Sequence, residues 1–297
     1  MTKFFIIIAF AIFTLSASAQ SFTSSNLPII IITTDKDPQT NKPYDISDEP
    51  KVLANMKIIY HTDGSRNYVN EQNNALYLNY NGKIGIEIRG SSSSSLDKKP
   101  YGFTTLKNDN ISNNNVSLLG IPKENDWILN ALAFDESLIR DCLSFNLARS
   151  MGNYASATRY CEVIINGEYR GLYLLMEKVK IDENRIDISK MDVQDISLPY
   201  LSGGYVTKSD KTTGNDPVAW YMQSYSWDVN FIHHSPKPEE ITEQQHNYIY
   251  SIFESLENAT YYNNDSQLDG FPNIIDIPSF IDFIIINELA SNVDGYQ

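Results

Sequence analysis

Two cysteines in 297 residues, Cys142 and Cys161, are too few for a disulfide framework. They permit one bridge at most or two free core thiols, and free thiols are the expectation. Basic residues are also scarce. The 23 Lys and Arg face 37 Asp and Glu, a formal net charge of −14. Such a chain has no basic face for duplex phosphates, so nucleic acid is not an expected partner. The four histidines, His61, His233, His234 and His246, show no His-x-x-x-His spacing of the helical zinc type. Neither a Gly-x-Ser-x-Gly elbow nor a Gly-x-x-x-x-Gly-Lys-Ser/Thr loop is present. What the chain has in quantity is aromatic surface, 12% of residues and 19 of them Tyr. With 42% hydrophobic residues, this composition describes a folded globular protein.

One long apolar run exists, at the start. Lys3 precedes Phe4 to Leu15, and Ser16-Ala17-Ser18-Ala19 follows with small residues where a signal peptidase reads. Residues 1–19 are therefore expected to be a secretory signal peptide. The run is short of the roughly 20 residues that span a bilayer. The expectation is a secreted protein (extracellular, periplasmic or cell-surface) with no membrane insertion after cleavage.

The rest reads as a β-rich half followed by a helix-rich half. Strands are expected at Leu27–Thr33, Lys51–Tyr60 and Tyr101–Leu106, and within Leu118–Asn130. Two Asn-Gly pairs suggest hairpins. Asn81-Gly82 would join Ala75–Tyr80 to Lys83–Arg89, and Asn166-Gly167 would join Cys161–Ile165 to Tyr169–Met176. Helices are expected over Asp135–Met151, Pro236–Leu256 and Pro278–Ala290, with a short strand at Gly203–Lys208.

The loop Arg89-Gly90-Ser91 to Ser95, with Lys98-Lys99 beyond it, offers backbone N–H groups, hydroxyls and positive charge. That is the chemistry of a phosphate cradle and equally that of a solvated loop. Glu177 after a strand, and Asp294 after a helix, are carboxylates able to hold a divalent cation or act as a base.

Four segments together resemble the CotH kinase family, the spore-coat-protein-H-like proteins. They are Ile86-Glu87-Ile88-Arg89-Gly90-Ser91-Ser92-Ser93 with Lys98-Lys99; Asn125-Asp126-Trp127-Ile128-Leu129 with the following helix and its Arg140; Tyr160 to Lys178 around Asn166-Gly167-Glu168-Tyr169-Arg170-Gly171; and Asn287-Glu288-Leu289 through Asn292-Val293-Asp294-Gly295-Tyr296. The resemblance implies an α+β, atypical protein-kinase-like fold of two lobes. Within a single domain over 20–297, the β-rich lobe would cover about 27–180 and a partial helical lobe about 200–297. It further implies ATP, a divalent metal (Mg or Mn) and a protein substrate phosphorylated on Ser or Thr.

By the same resemblance Arg89, Ser91 and Ser92 would lie over the phosphates, with Lys98 or Lys99 contacting them. Glu177 would sit at the adenine-binding hinge, and Asp294 would accept the substrate hydroxyl proton. The family places a second, metal-binding aspartate about two dozen residues further on, and the metal ligand expected here is therefore missing. The sequence is expected to be a truncated form of such a domain, impaired in catalysis. Two other readings stand beside the kinase: a non-catalytic surface binding or adhesion module on the same fold, and a carbohydrate-directed protein suggested by the tyrosines and acids.

Overall fold

The computed structural model describes residues 22–210, 216–222, 229–293 and 295. The leader-like segment 1–19 and Asp294 lie outside the described residues. The chain is an α+β protein, rich in β, and both cysteines are free.

In chain order the strands are β1 (Ser24–Ser25), β2 (Ile29–Thr34), β3 (Val52–Ile59), β4 (Asn67–Tyr68), β5 (Leu78–Ile88), β6 (Tyr101–Leu106) and β7 (Asp126–Asn130). Helix α1 (Arg140–Ser150) follows, then β8 (Thr158–Ile165) and β9 (Glu168–Glu177). Strands β10 (Val206–Ser209), β11 (Trp220–Met222) and β12 (Val229–Ser235), then helices α2 (Glu243–Tyr261) and α3 (Ile277–Ala290), complete it.

Seven strands close into a barrel in the order β2-β3-β5-β6-β7-β9-β8. The closing pair β2–β8 is parallel and its neighbours are antiparallel. Alternation fills the barrel. Ile30, Ile32, Met56, Ile84, Ile86, Phe103, Trp127, Leu129, Val163 and Leu175 point inward and form one buried cluster. Each such side chain contributes about 1.5–3 kcal/mol on burial.

Strand β2 reads Ile-Ile-Ile-Ile because it is covered on both faces. Ile29 and Ile31 turn outward under Phe22, Val69, Tyr77 and Leu78. On another side of the barrel, Leu132, Leu174 and Met176 face outward and are covered by Leu138, Cys142 and Phe145 at and just before α1.

Three sequence expectations change. The pair Asn81-Gly82 is not a turn; β5 runs straight through it, pairing Asn81 with Lys57 and Gly82 with Met56. A Cβ on Gly82 would come within 2.6 Å of the Tyr80 hydroxyl oxygen, so this glycine makes room for a ring folded along its own strand. Helix α1 begins at Arg140, not Asp135. Asp135 instead stands outside it, its carboxylate accepting from the Arg140 and Ser137 N–H groups, while Leu138 takes φ +60°. Finally, the region expected to be helical carries a three-stranded sheet, β10-β12-β11, packed by α2. Trp220 and Phe231 stack at its centre, 5.5 Å apart, against Phe253 of α2. The α2 helix starts at Glu243 behind a reciprocal cap in which Thr242 and Gln245 satisfy each other's backbone N–H.

Candidate functional site

A cleft of about 870 Å³ opens where the glycine–serine loop, α1 and the C-terminal end of α3 meet. Its size is that of a small-ligand site.

The loop forms one wall through Ser92 and Ser93. Gly90 adopts φ +94°, and a Cβ there would lie 2.3 Å from the Ser93 hydroxyl oxygen, so only glycine permits this turn. Inside the loop, Ser94 and Ser95 donate their hydroxyls to the carbonyls of Ser91 and Ser92, each at 2.7 Å. Lys99 donates to the Ser94 carbonyl at 2.8 Å. The loop is thus held by its own donors, leaving Ser92 and Ser93 on the cleft side.

The second wall is the end of β7 and the first turns of α1. The Asn130 side-chain amide nitrogen donates to the Asp141 carboxylate at 2.6 Å, and its side-chain oxygen Oδ1 accepts from the Leu132 N–H at 3.1 Å. Burial pushes the Asp141 carboxyl above its usual range; the Asn130 bond offsets part of this, and nearby Asp135 adds to it. Arg140, beside them, is open to solvent and lies 3.7 Å from Asp135. The wall therefore presents a guanidinium, a constrained carboxylate and a fixed amide.

The third wall is α3. Asn287, only 6% exposed, bonds the Phe283 carbonyl and accepts from the Asn292 amide at 2.7 Å. Ser291 ends the helix in the left-handed conformation. Asn153, after α1, donates to Asp282 of α3 at 2.7 Å and ties the two walls together. Ala155, Ser156, Val179 and Ile186 also line the cleft.

The expected site residues are only partly brought together. Ser92 lines the cleft and Ser91 is exposed on the same loop. Arg89 is exposed at the loop's root, its side chain beside Gly102 near Glu87. Lys98 and Lys99 line a different cavity, with the Lys98 ammonium 2.5 Å from the Leu172 carbonyl oxygen and 4.9 Å from the Tyr173 ring centre. Glu177 is 1% exposed. It accepts from the Ala157 N–H at 2.9 Å and pairs with the Arg185 guanidinium at 2.9 Å. It is closed in by these partners and does not line the cleft. Ser291, Asn292 and Val293 line the cleft immediately before Asp294, which is itself outside the described residues.

Arg185 is the hub of a buried ion cluster around Glu177. It also faces Asp182 at 2.7 Å and Glu124 at 3.7 Å, and Lys180 sits between Glu124 and Asp126 at 2.5 and 2.7 Å. Burial raises the Asp126 carboxyl, but bonds from Lys180 and Thr104 outweigh it and hold the group below its usual value.

Asn130 and Asp141 are the pair that sequence reading missed. Their only signal is an amide at a strand end and an acid in the next helix's first turn. Among the described residues no group of three or more His, Cys, Asp and Glu is placed to hold a metal ion, and the carboxylates lining the cleft are Asp135 and Asp141. These residues do not by themselves make a divalent-cation cage.

A barrel-backed α+β protein whose glycine–serine loop overhangs a ligand-sized cleft is the class defined so far. A family model described as CotH kinase protein matches residues 86–297, which include the loop, α1, β8, β9 and α3. The chain belongs to the CotH kinase family. No curated protein matches it. No helix among the described residues is long and apolar enough to cross a membrane.

Proposed function

We propose that this chain is an exported, two-lobed protein kinase-like phosphotransferase that binds ATP in the cleft and acts on a Ser or Thr hydroxyl of a protein substrate. One observation carries the reading: the loop, the Asn130–Asp141 pair and the turn leading to Asp294 all face one cavity of about 870 Å³. Family membership supports a kinase-like activity. The leader-like first nineteen residues support export.

In this reading the apolar stretch Ala131, Leu132, Phe145 and Val179 takes the base, and Arg140 with the loop face of Ser92 and Ser93 takes the phosphates, with Ser91 exposed on the same loop. Arg89 adds charge at the loop root. Lys99 acts from behind, fixing the loop through the Ser94 carbonyl, Lys98 holds the Leu172 carbonyl of β9, and Glu177 holds the Ala157 N–H and Arg185. The substrate hydroxyl oxygen attacks the γ-phosphorus, the bond to the β–γ bridging oxygen breaks, and ADP leaves. Asp294 accepts the hydroxyl proton. Asp141, held by Asn130, keeps α1 in register with the strand end.

The test pairs binding with transfer. A fluorescent ATP analogue is expected to bind the wild type and to lose binding when Ala148→Trp fills the cleft. Asp294→Ala is expected to retain binding while any phosphoryl transfer to a protein acceptor falls about 10²–10³-fold. Binding without any transfer by the wild type would leave the non-catalytic binding module as the better reading. Transfer that survives both substitutions would put the active centre elsewhere.

A further inference from the structure

A second cavity, of about 570 Å³, lies between α2 and the edge strand of the three-stranded sheet, and it shares no lining residue with the cleft. Strand β11 supplies Trp220 and Tyr221. From α2, His246, Tyr250, Glu254 and Asn258 recur every fourth residue, so they line up along one face of the helix. The rings are ordered. His246 and Tyr250 are parallel within 1°, and both stand edge-on to Trp220 at 6.0 Å. Tyr221, beside Trp220, is 49% exposed.

Several polar groups here have bonding capacity to spare. Trp220 is 6% exposed, and its indole N–H has no acceptor among the described residues, a costly state for a buried donor. The side-chain amides of Asn247 and Asn258 are exposed on the same groove and make no hydrogen bond among the described residues. The Tyr250 hydroxyl reaches the Glu254 carboxylate only at 3.4 Å. Glu254 and Glu257 are the groove's carboxylates, and among the described residues no Lys or Arg lines it. An anion such as a phosphate is therefore repelled. A cation would suit the carboxylates and the ring faces, but it has no acceptor for the indole N–H or the two amides. A neutral molecule with many hydroxyls satisfies both kinds of group, because each hydroxyl donates and accepts. If its rings also carry apolar C–H faces, they cover the aromatic surface. That combination is a pyranose sugar.

We infer that the groove between β11 and α2 binds a neutral oligosaccharide, with Tyr221 and Tyr250 against the sugar rings and Asn247, Asn258 and Glu254 at their hydroxyls. The carbohydrate-directed chemistry that the tyrosines suggest then belongs to this groove, beside the phosphotransferase reading and independent of it. The measurement is calorimetric titration of cellopentaose, maltopentaose and N-acetylchitopentaose into the full chain. At least one is expected to bind with a dissociation constant of about 1 mM or tighter. Tyr221→Ala, at an exposed ring, is expected to weaken binding about tenfold. Asn247→Ala with Asn258→Ala, both on the exposed side of α2, should weaken it about fivefold, and this pair carries the test if Tyr221→Ala disturbs the edge strand. Tyr44→Ala, at a comparably exposed ring in the loop after β2, should leave affinity within about twofold. Absence of binding by all three sugars at up to about 5 mM overturns the inference. So does sugar binding that persists undiminished in both groove variants, which would place the sugar elsewhere. Saturable binding of tetramethylammonium with no sugar bound would also overturn it, making the rings a cation site.

Discussion

Glu177 shows what one residue's surroundings do to a role inferred from sequence. At the end of an apolar strand it reads as a hinge residue open to a ligand. In the folded chain the Ala157 N–H and the Arg185 guanidinium enclose it. The partner is eight residues further on, in a segment with no periodic pattern, so nothing local announced it. A buried guanidinium that loses its carboxylates, or the reverse, leaves an uncompensated charge that costs about 3–5 kcal/mol. Arg185→Met strands Glu177, while Glu124 keeps Lys180, and is expected to lower the melting temperature by more than about 6 °C, given 2–4 °C per kcal/mol at this size. Glu177→Gln keeps shape and removes one charge, so its loss should be smaller. In the double variant Arg185→Met/Glu177→Met the effects should be less than additive, because the charges leave together. A melting temperature for Arg185→Met within 1–2 °C of wild type, roughly the scatter expected of a surface substitution, would show that the cluster stabilises little.

At the scale of elements, the same dipeptide has two outcomes. Asn166 and Gly167 take φ +51° and +84°, the positive values that a two-residue hairpin turn demands, and β8 and β9 pair on either side. Asn81-Gly82 lies inside β5 because the neighbouring strand β3 continues past it and Tyr80 needs the space at Gly82. The main barrel strands, the helix α3 (expected over Pro278–Ala290) and the Asn166 turn were thus legible from periodicity and turn chemistry, whereas α2 begins at Glu243 and not Pro236, and β11 and β12 were not foreseen. Barrel closure was not, since the β2–β8 pairing joins residues over 130 positions apart. The glycine–serine loop was legible as a loop of interest, and Ser92 lines the cleft, whereas the Asn130–Asp141 wall was not foreseen. The two glycines separate in mutation. Gly167→Ala is expected to destabilise by about 1 kcal/mol through its positive φ. Gly82→Ala should cost about 1–3 kcal/mol by forcing the Tyr80 ring aside. Asn81→Ala, by contrast, should be nearly neutral in denaturant unfolding. A large loss at Asn81 together with none at Gly82 would restore the hairpin reading for that pair.

Across the whole molecule, the barrel and the region of β10–β12 with α2 differ in their response to acid. His233 is buried, with its Nε2 3.0 Å from His246 Nδ1 and the edge of Trp220 beside it. Burial, and then the His246 charge, push its pKa down to about 4 from 6.5. His234 shifts in the same direction, first from burial and then from Lys208. Glu243 of α2 lines the cavity next to His233 and His246. A histidine with a depressed folded-state pKa binds fewer protons folded than unfolded between those two values. Its stabilising effect is therefore complete above about pH 6.5 and declines as the pH falls toward 4. In the barrel, Asp126 is held below its usual pKa, so its contribution persists until the pH drops through 3.8 and below. Between pH 6.5 and 4 the sheet–α2 region should loosen while the barrel stays closed. Limited proteolysis at pH 4.5 with an acid-active protease should then cut first between residues 200 and 262, leaving a protected core that contains β2 through β9. His233→Gln removes the larger of these two titrations and should reduce the fall in melting temperature over that window. Equal acid sensitivity of the wild type and His233→Gln, or first cleavage within the barrel, would show that the histidine pair does not set the acid limit of the fold.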